Sequence, residues 1–173
     1  MKKIISNSIA MFFVAALSIP AFSQNLALND KTKDIDVLDA SEQSTSTNNT
    51  TDVNTKVLRV FNKTYGEKPG AKWTKIDGGF AVSFRNGDIK TNVYYKNNGI
   101  VDYKINYYFE DQLPQNVRQL VRTNFSGYSV TQVSEVHRNN STGYFVKIED
   151  KYYAKTVRVV DEEFEVVESL IKK

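Results

Sequence analysis

His137 is the only imidazole among 173 residues, so a mechanism that needs a side-chain base near neutral pH must pass through it. A serine hydrolase would add a Gly-x-Ser-x-Gly elbow and a carboxylate partner, and the chain shows neither. A zinc site would need several His and Cys ligands, and the chain has one His and no Cys. Asp161-Glu162-Glu163 offers adjacent carboxylates, yet a calcium loop alternates its ligands around a glycine that is missing here. That run reads instead as a charged hairpin turn. Gly78-Gly79 would cradle a phosphate only at the mouth of a helix, and a strand pattern follows it. His137 is therefore expected as a polar residue near a strand end, and no catalytic residue, metal or cofactor is expected.

The chemistry that remains is recognition. Side chains alternate across a strand, and in the predicted sheet one side carries Arg85, Lys90, Asn92, Tyr94, Lys96, Asp102, Lys104, Asn106 and Tyr108. Phe145, Lys147, Tyr152 and Arg158 join them from the second half of the chain. Aromatic residues and Arg are enriched where proteins meet. The expected partner-binding set is Arg85, Tyr94, Lys104, Tyr108, Phe145, Tyr152 and Arg158. An ordinary solvated sheet face, or a face covered by the preceding leader, are the alternatives.

The elements that would position this face repeat. Val57, Val60, Phe61 and Tyr65 are matched sixty positions later by Val117, Leu120, Val121 and Phe125, each set spaced as one apolar helix face. Gly79-Phe80-Ala81-Val82-Ser83-Phe84 returns as Gly143-Tyr144-Phe145-Val146-Lys147-Ile148, the offset having grown to 64 across the longer turn at Asn139–Gly143. One helix is expected from an Asp52 N-cap to Tyr65, ended by Gly66, and another from Pro114 to Asn124. Gly and Asn-Gly turns separate strands expected at 72–77, 79–86, 88–96 and 100–109, then at 128–138, 142–149, 152–160 and 163–171. The fold class is α+β, a tandem repeat of a helix and a four-stranded antiparallel meander. The inward set is expected to be Phe80, Val82, Phe84, Val93, Tyr95, Val101, Tyr103, Ile105 and Tyr107, then Tyr144, Val146, Ile148, Tyr153, Val157 and Val159. Trp73 and Val133 are expected to close the same corner of each unit.

Met1–Ser23 reads as a secretory signal peptide: Lys2 and Lys3, an apolar core over Ile9–Ile19, then Ala21-Phe22-Ser23 before the cut. The apolar run is shorter than the roughly 20 residues a spanning helix needs, so no anchor is expected in the mature chain. Residues 24–52 are polar and lack aromatics, which makes them a flexible leader, although Ile35, Val37 and Leu38 could dock. The domain is then 53–173, with repeat one at 53–110 and repeat two at 111–173. The formal charge of +3 includes Lys2 and Lys3, and so weak a surplus does not mark a nucleic-acid binder. Without disulfides, stability must come from burial.

Trp73, Gly79-Phe80-Ala81-Val82-Ser83-Phe84, Asn97-Asn98-Gly99 and Leu113-Pro114 together resemble PepSY-like domains. They are most similar to the exported bacterial group with the fold of the beta-lactamase inhibitor proteins (BLIP-like), over about 53–173. The resemblance implies a continuous eight-stranded sheet, both helices on one side and a concave free face. In the inhibitor proteins that face clasps an enzyme, aided by inserted loops. This chain lacks their disulfides and offers no residue-by-residue match to those loops, so beta-lactamase inhibition is not carried over. The expected function is an exported, non-enzymatic binding protein for an envelope or extracellular protein, inhibition of an enzyme being one form of that recognition. A carrier of a lipid, haem or glycan fragment on the aromatic face is the alternative.

Overall fold

The computed structural model describes residues 52–173; the export signal expected at 1–23, and all but the last residue of the leader expected at 24–52, lie outside them. The first helix, α1, spans Thr55–Tyr65. Its cap is Asn54 rather than Asp52: the Asn54 side chain accepts the Lys56 N–H at 2.8 Å and so satisfies one of the free donors of the first turn. Gly66 ends the helix at φ 71°, its N–H donating to the Asn62 carbonyl. The second helix, α2, spans Gln115–Asn124, with Pro114 immediately before it rather than inside it.

Eight strands follow one another without a crossover. They are β1 (Lys72–Ile76), β2 (Gly79–Asn86), β3 (Ile89–Lys96) and β4 (Val101–Tyr108), then β5 (Ser129–Arg138), β6 (Ser141–Glu149), β7 (Tyr153–Val160) and β8 (Glu163–Ile171). Each pairs antiparallel with its sequence neighbour in one sheet, in the order β1 to β8. Gly79 is needed where β2 passes β3, because a Cβ there would collide with the Tyr95 carbonyl.

Two apolar clusters hold the helices down. Under α1, Val53, Val57 and Phe61 pack with Trp73, Phe80, Val82, Phe84, Val93 and Tyr95. Under α2, Leu113, Val117 and Val121 pack with Tyr108, Val133, Val146, Ile148, Val157 and Val159. Directly paired residues share a sheet face. The register Val82–Val93–Lys104–His137–Thr142 therefore carries one face across from the first cluster, and Tyr108–Val133–Val146–Val157 continues it through the second. Both helices cover that same face.

The register overturns the expected sidedness of β4. Val93 faces Lys104 and Thr91 faces Asn106, which turns Lys104, Asn106 and Tyr108 toward the helices and Tyr103, Ile105 and Tyr107 away from them. A one-residue slip moves a whole strand to its other face. The slip arises at a bulge, where Tyr94 pairs with Tyr103 but Tyr95 pairs with Val101, leaving Asp102 as the extra residue. Val101, expected inside, is 42% exposed at the strand end. Tyr153, also expected inside, is exposed at the start of β7.

Candidate binding face

The face away from the helices is built in cross-strand rows. One row runs Arg85, Lys90, Tyr107, Ser134, Phe145, Arg158, Glu165 from β2 to β8. The next runs Ser83, Asn92, Ile105, Val136, Gly143, and a third places Ala81, Tyr94 and Tyr103 side by side. The middle of this face is thus apolar and aromatic, with charges to either side. Tyr94 and Tyr103 stack with ring centres 4.0 Å apart and planes 18° apart. Burial, then the neighbouring Tyr94 phenol, raises the pKa of Tyr103. Burial similarly pushes Tyr107 up to about 12. Both phenols are neutral donors at physiological pH.

Arg158 pairs with Glu165 at 2.8 Å, whereas Arg85 lies directly opposite Lys90. A like-charge pair in that position works against the sheet. Asp102 sits between Lys96 (3.8 Å) and Arg138 (3.6 Å). Such exposed pairs contribute little, roughly 0–1 kcal/mol each.

Of the seven residues expected to bind a partner, Arg85, Tyr94, Phe145 and Arg158 lie on this face. Tyr108 does not: it is 4% exposed within the cluster under α2, because its partner across the ladder is the buried Val133. Lys104 is on the helix side for the reason given above. Tyr152 stands at the β6–β7 turn, 59% exposed, where Asp150 accepts its backbone N–H. Tyr103, Ile105 and Tyr107, expected inward, take the places lost, and Val136, which the sequence reading places on neither face, joins them.

The helix side of β4 and β5 holds a polar seam between the two clusters. Glu135 accepts from Asn106 Nδ2 at 3.2 Å and lies 3.1 Å from His137 Nε2. Thr142 Oγ1 lies 3.0 Å from His137 Nδ1, and Thr91 donates to Asn106 Oδ1 at 3.1 Å. Burial first, then the charge of Lys104, lowers the His137 pKa, against the opposing pull of Glu135. The lowered pKa favours the neutral ring, and in that form the partners assign Nε2–H as donor to Glu135 and Nδ1 as acceptor from Thr142. Glu135 also bonds to Tyr108, whose pKa is raised mainly by burial. His137 therefore does have a carboxylate beside it, held in a satisfied network. Among the described residues no three His, Cys, Asp or Glu side chains gather as a metal site would need. An open cavity of about 710 Å³ lies beside α2, floored by Val117, Leu120, Tyr144 and Val159.

A DUF2874 family protein from Bacteroides ovatus matches with TM-score 0.57 and 15% identity, over 69% of this chain and 87% of the other. A BLIP-like protein from Bacteroides fragilis matches with TM-score 0.56 and 14% identity, over 69% of this chain and 86% of that one. The fold is BLIP-like. A candidate periplasmic protein from Bacteroides eggerthii has the same fold, with TM-score 0.56, 15% identity, and coverage of 69% and 88%. No family model matches the sequence, and no curated protein does. At these identities the BLIP-like likeness concerns the fold alone.

Proposed function

We propose that this chain is an exported, non-enzymatic binding protein that recognises another protein through the free face of its sheet. The observation that carries this reading is the half-buried stripe of Tyr94, Tyr103, Ile105, Tyr107, Val136 and Phe145, which the register gathers on the face opposite α1 and α2. An aromatic centre with a charged rim is the anatomy of a protein interface. The opposed Arg85 and Lys90 favour a partner with acidic groups at that rim, because an incoming carboxylate relieves their repulsion. An enzyme that the protein restrains is one such partner.

The same reading takes 1–23 as a cleaved signal, 24–52 as a leader and 53–173 as a PepSY-like and BLIP-like domain of two tandem units, 53–110 and 111–173. Supporting the doubling, buried residues of the two clusters keep the sequence offsets: Trp73 and Val133 by 60, Val82 and Val146 by 64. A periplasmic or secreted location agrees with the fold neighbour from Bacteroides eggerthii. No helix among the described residues is long and apolar enough to cross a membrane. The carrier reading lacks a comparable observation, since the cavity beside α2 is on the opposite side from the aromatic stripe.

A photo-crosslinker at position 94, in the chain expressed with its export signal, is expected to capture a defined protein adduct. Placed at Lys75, on the helix side, it should not. Tyr107→Ser should abolish the adduct while circular dichroism stays unchanged, whereas Tyr108→Ala should destabilise the fold by about 3–5 kcal/mol. Equal capture from both positions, or none across growth conditions, overturns the reading.

A further inference from the structure

The sheet has two edges, and they are built differently. An exposed edge is a template for another strand unless it is short, charged or bent. The β1 edge has five residues, of which Lys72 and Lys75 are exposed. The β8 edge has nine, every one of them exposed. It carries Glu163, Glu165 and Glu168 and a bulge at Val167, but its length and its five large apolar side chains leave more of it open to pairing than the β1 edge. It displays Phe164, Val166, Val167, Leu170 and Ile171, the last 77% exposed.

We infer that β8 is a dimerisation edge, pairing antiparallel with β8 of a second copy. The occupant follows from the charge order along the strand. Asp161, Glu162 and Glu163 stand at its start and Lys172 and Lys173 at its end. A parallel or unrelated strand makes no use of that order, but an antiparallel copy sets each acidic end against a basic one.

The hydrogen-bond phase of the strand selects the register. Lys172 N–H donates to the Tyr152 carbonyl, so backbone groups at 172, 170 and 168 point into the sheet and those at 169 and 171 point outward. Beyond the bulge at Val167, the Val160–Glu163 and Arg158–Glu165 pairs leave 164 outward-facing. A two-fold between Val167 and Glu168 then sets Phe164 opposite the partner's Ile171 and Val166 opposite the partner's Ser169. It also sets Glu163 opposite the partner's Lys172, and it brings Glu162, in the adjoining hairpin turn at φ 66°, to the end of the ladder where the partner's Lys173 lies. Lys172 holds Glu149 at 3.0 Å within its own chain, so Glu162 and Lys173 are the cleaner pair to test. The bulge falls at the axis, where it interrupts the fewest new bonds.

The experiment is sedimentation equilibrium on the full mature chain. A reversible dimer is expected. Ser169→Pro removes an outward N–H while sparing the β7–β8 ladder, and should weaken dimerisation at least about tenfold, the cost of roughly one good interaction. Glu162→Lys alone and Lys173→Glu alone should each weaken it, and the double exchange should restore it. Because the chain has no cysteine, Val167→Cys provides an independent readout: mild oxidation should link two copies, whereas Lys72→Cys on the other edge should stay unlinked. A chain that stays monomeric at its solubility limit overturns the inference. So does a dimer that tolerates both Ser169→Pro and the single charge reversals.

Discussion

In the proposed tandem arrangement, the two clusters fill corresponding places with side chains of different size. Beneath α1 stand Phe61, Trp73, Phe84 and Tyr95; beneath α2 the same places hold Val121, Val133, Ile148 and Val159. The first cluster is an aromatic lattice, Phe61 meeting Trp73 edge-on at 5.1 Å and Phe84 at 5.4 Å. In the second, the rings move to the margin. Phe125 meets Tyr128 at 6.2 Å and Phe164 at 5.5 Å, and Tyr108 enters from β4. One backbone arrangement thus accepts two packing solutions, provided each reaches interior density. Each cluster has nine buried residues, but five of the first are aromatic against one, Tyr108, in the second.

That contrast can be broken at matched positions. Trp73→Ala should cost about 3–5 kcal/mol, and Val133→Ala about 2 kcal/mol, measured by urea denaturation. Equal losses would show that ring size does not set the difference. Gly79→Ala should cost about 3 kcal/mol, since the new Cβ meets the fixed Tyr95 carbonyl. At Gly143 the same change meets only the Val160 Cγ2 methyl, 3.2 Å away, and should cost less than about 1 kcal/mol. Differential scanning calorimetry of the two variants would reveal whether the second half is the more forgiving.

The smallest effect lies in the seam between the halves. His137 has a folded pKa below its ordinary 6.5, chiefly through burial. Above 6.5 neither the folded nor the unfolded chain holds the extra proton, and the group leaves stability flat. As the pH falls below 6.5 the unfolded chain takes the proton first, so stability declines until the folded site is protonated as well. His137→Gln should remove that component from the denaturation midpoint followed from about pH 8 to about pH 5. Lys104→Met should raise the His137 pKa, read from its imidazole NMR shifts, by deleting a nearby positive charge that disfavours protonation. A lowered pKa in that variant would mean that Lys104 does not act on the ring through its charge.

The strands were legible because Gly and Asn punctuate the chain and β-branched residues fill the intervals. Every expected strand was found with ends shifted by a residue or so. The sidedness of β4 was not. Val101, Tyr103, Ile105 and Tyr107 alternate as an inward set should, but both faces of this sheet carry apolar residues. Only the pairing of Val93 with Lys104 decides between them. A clue did exist in Lys104-x-Asn106 and Glu135-x-His137, two polar alternations of the same phase on strands that turn out to be neighbours. Reading them as partners requires knowing that, among the described residues, neither α1 nor α2 sits above the middle of the sheet. The contrasting β8 edge was hidden for a similar reason: a strand at 163–171 could be named from sequence, but its exposure depends on which strands pair with it, and among the described residues only β7 does.

The unbroken strand order has a consequence for how the chain comes together. Each ladder joins neighbours along the sequence, and even the pairing across α2, Lys104 with His137, closes only thirty-three positions. Loops this short lose little entropy on closing and favour rapid assembly. A polypeptide emerging amino end first can therefore zip each new segment onto the one before it, never waiting for its tail to arrive.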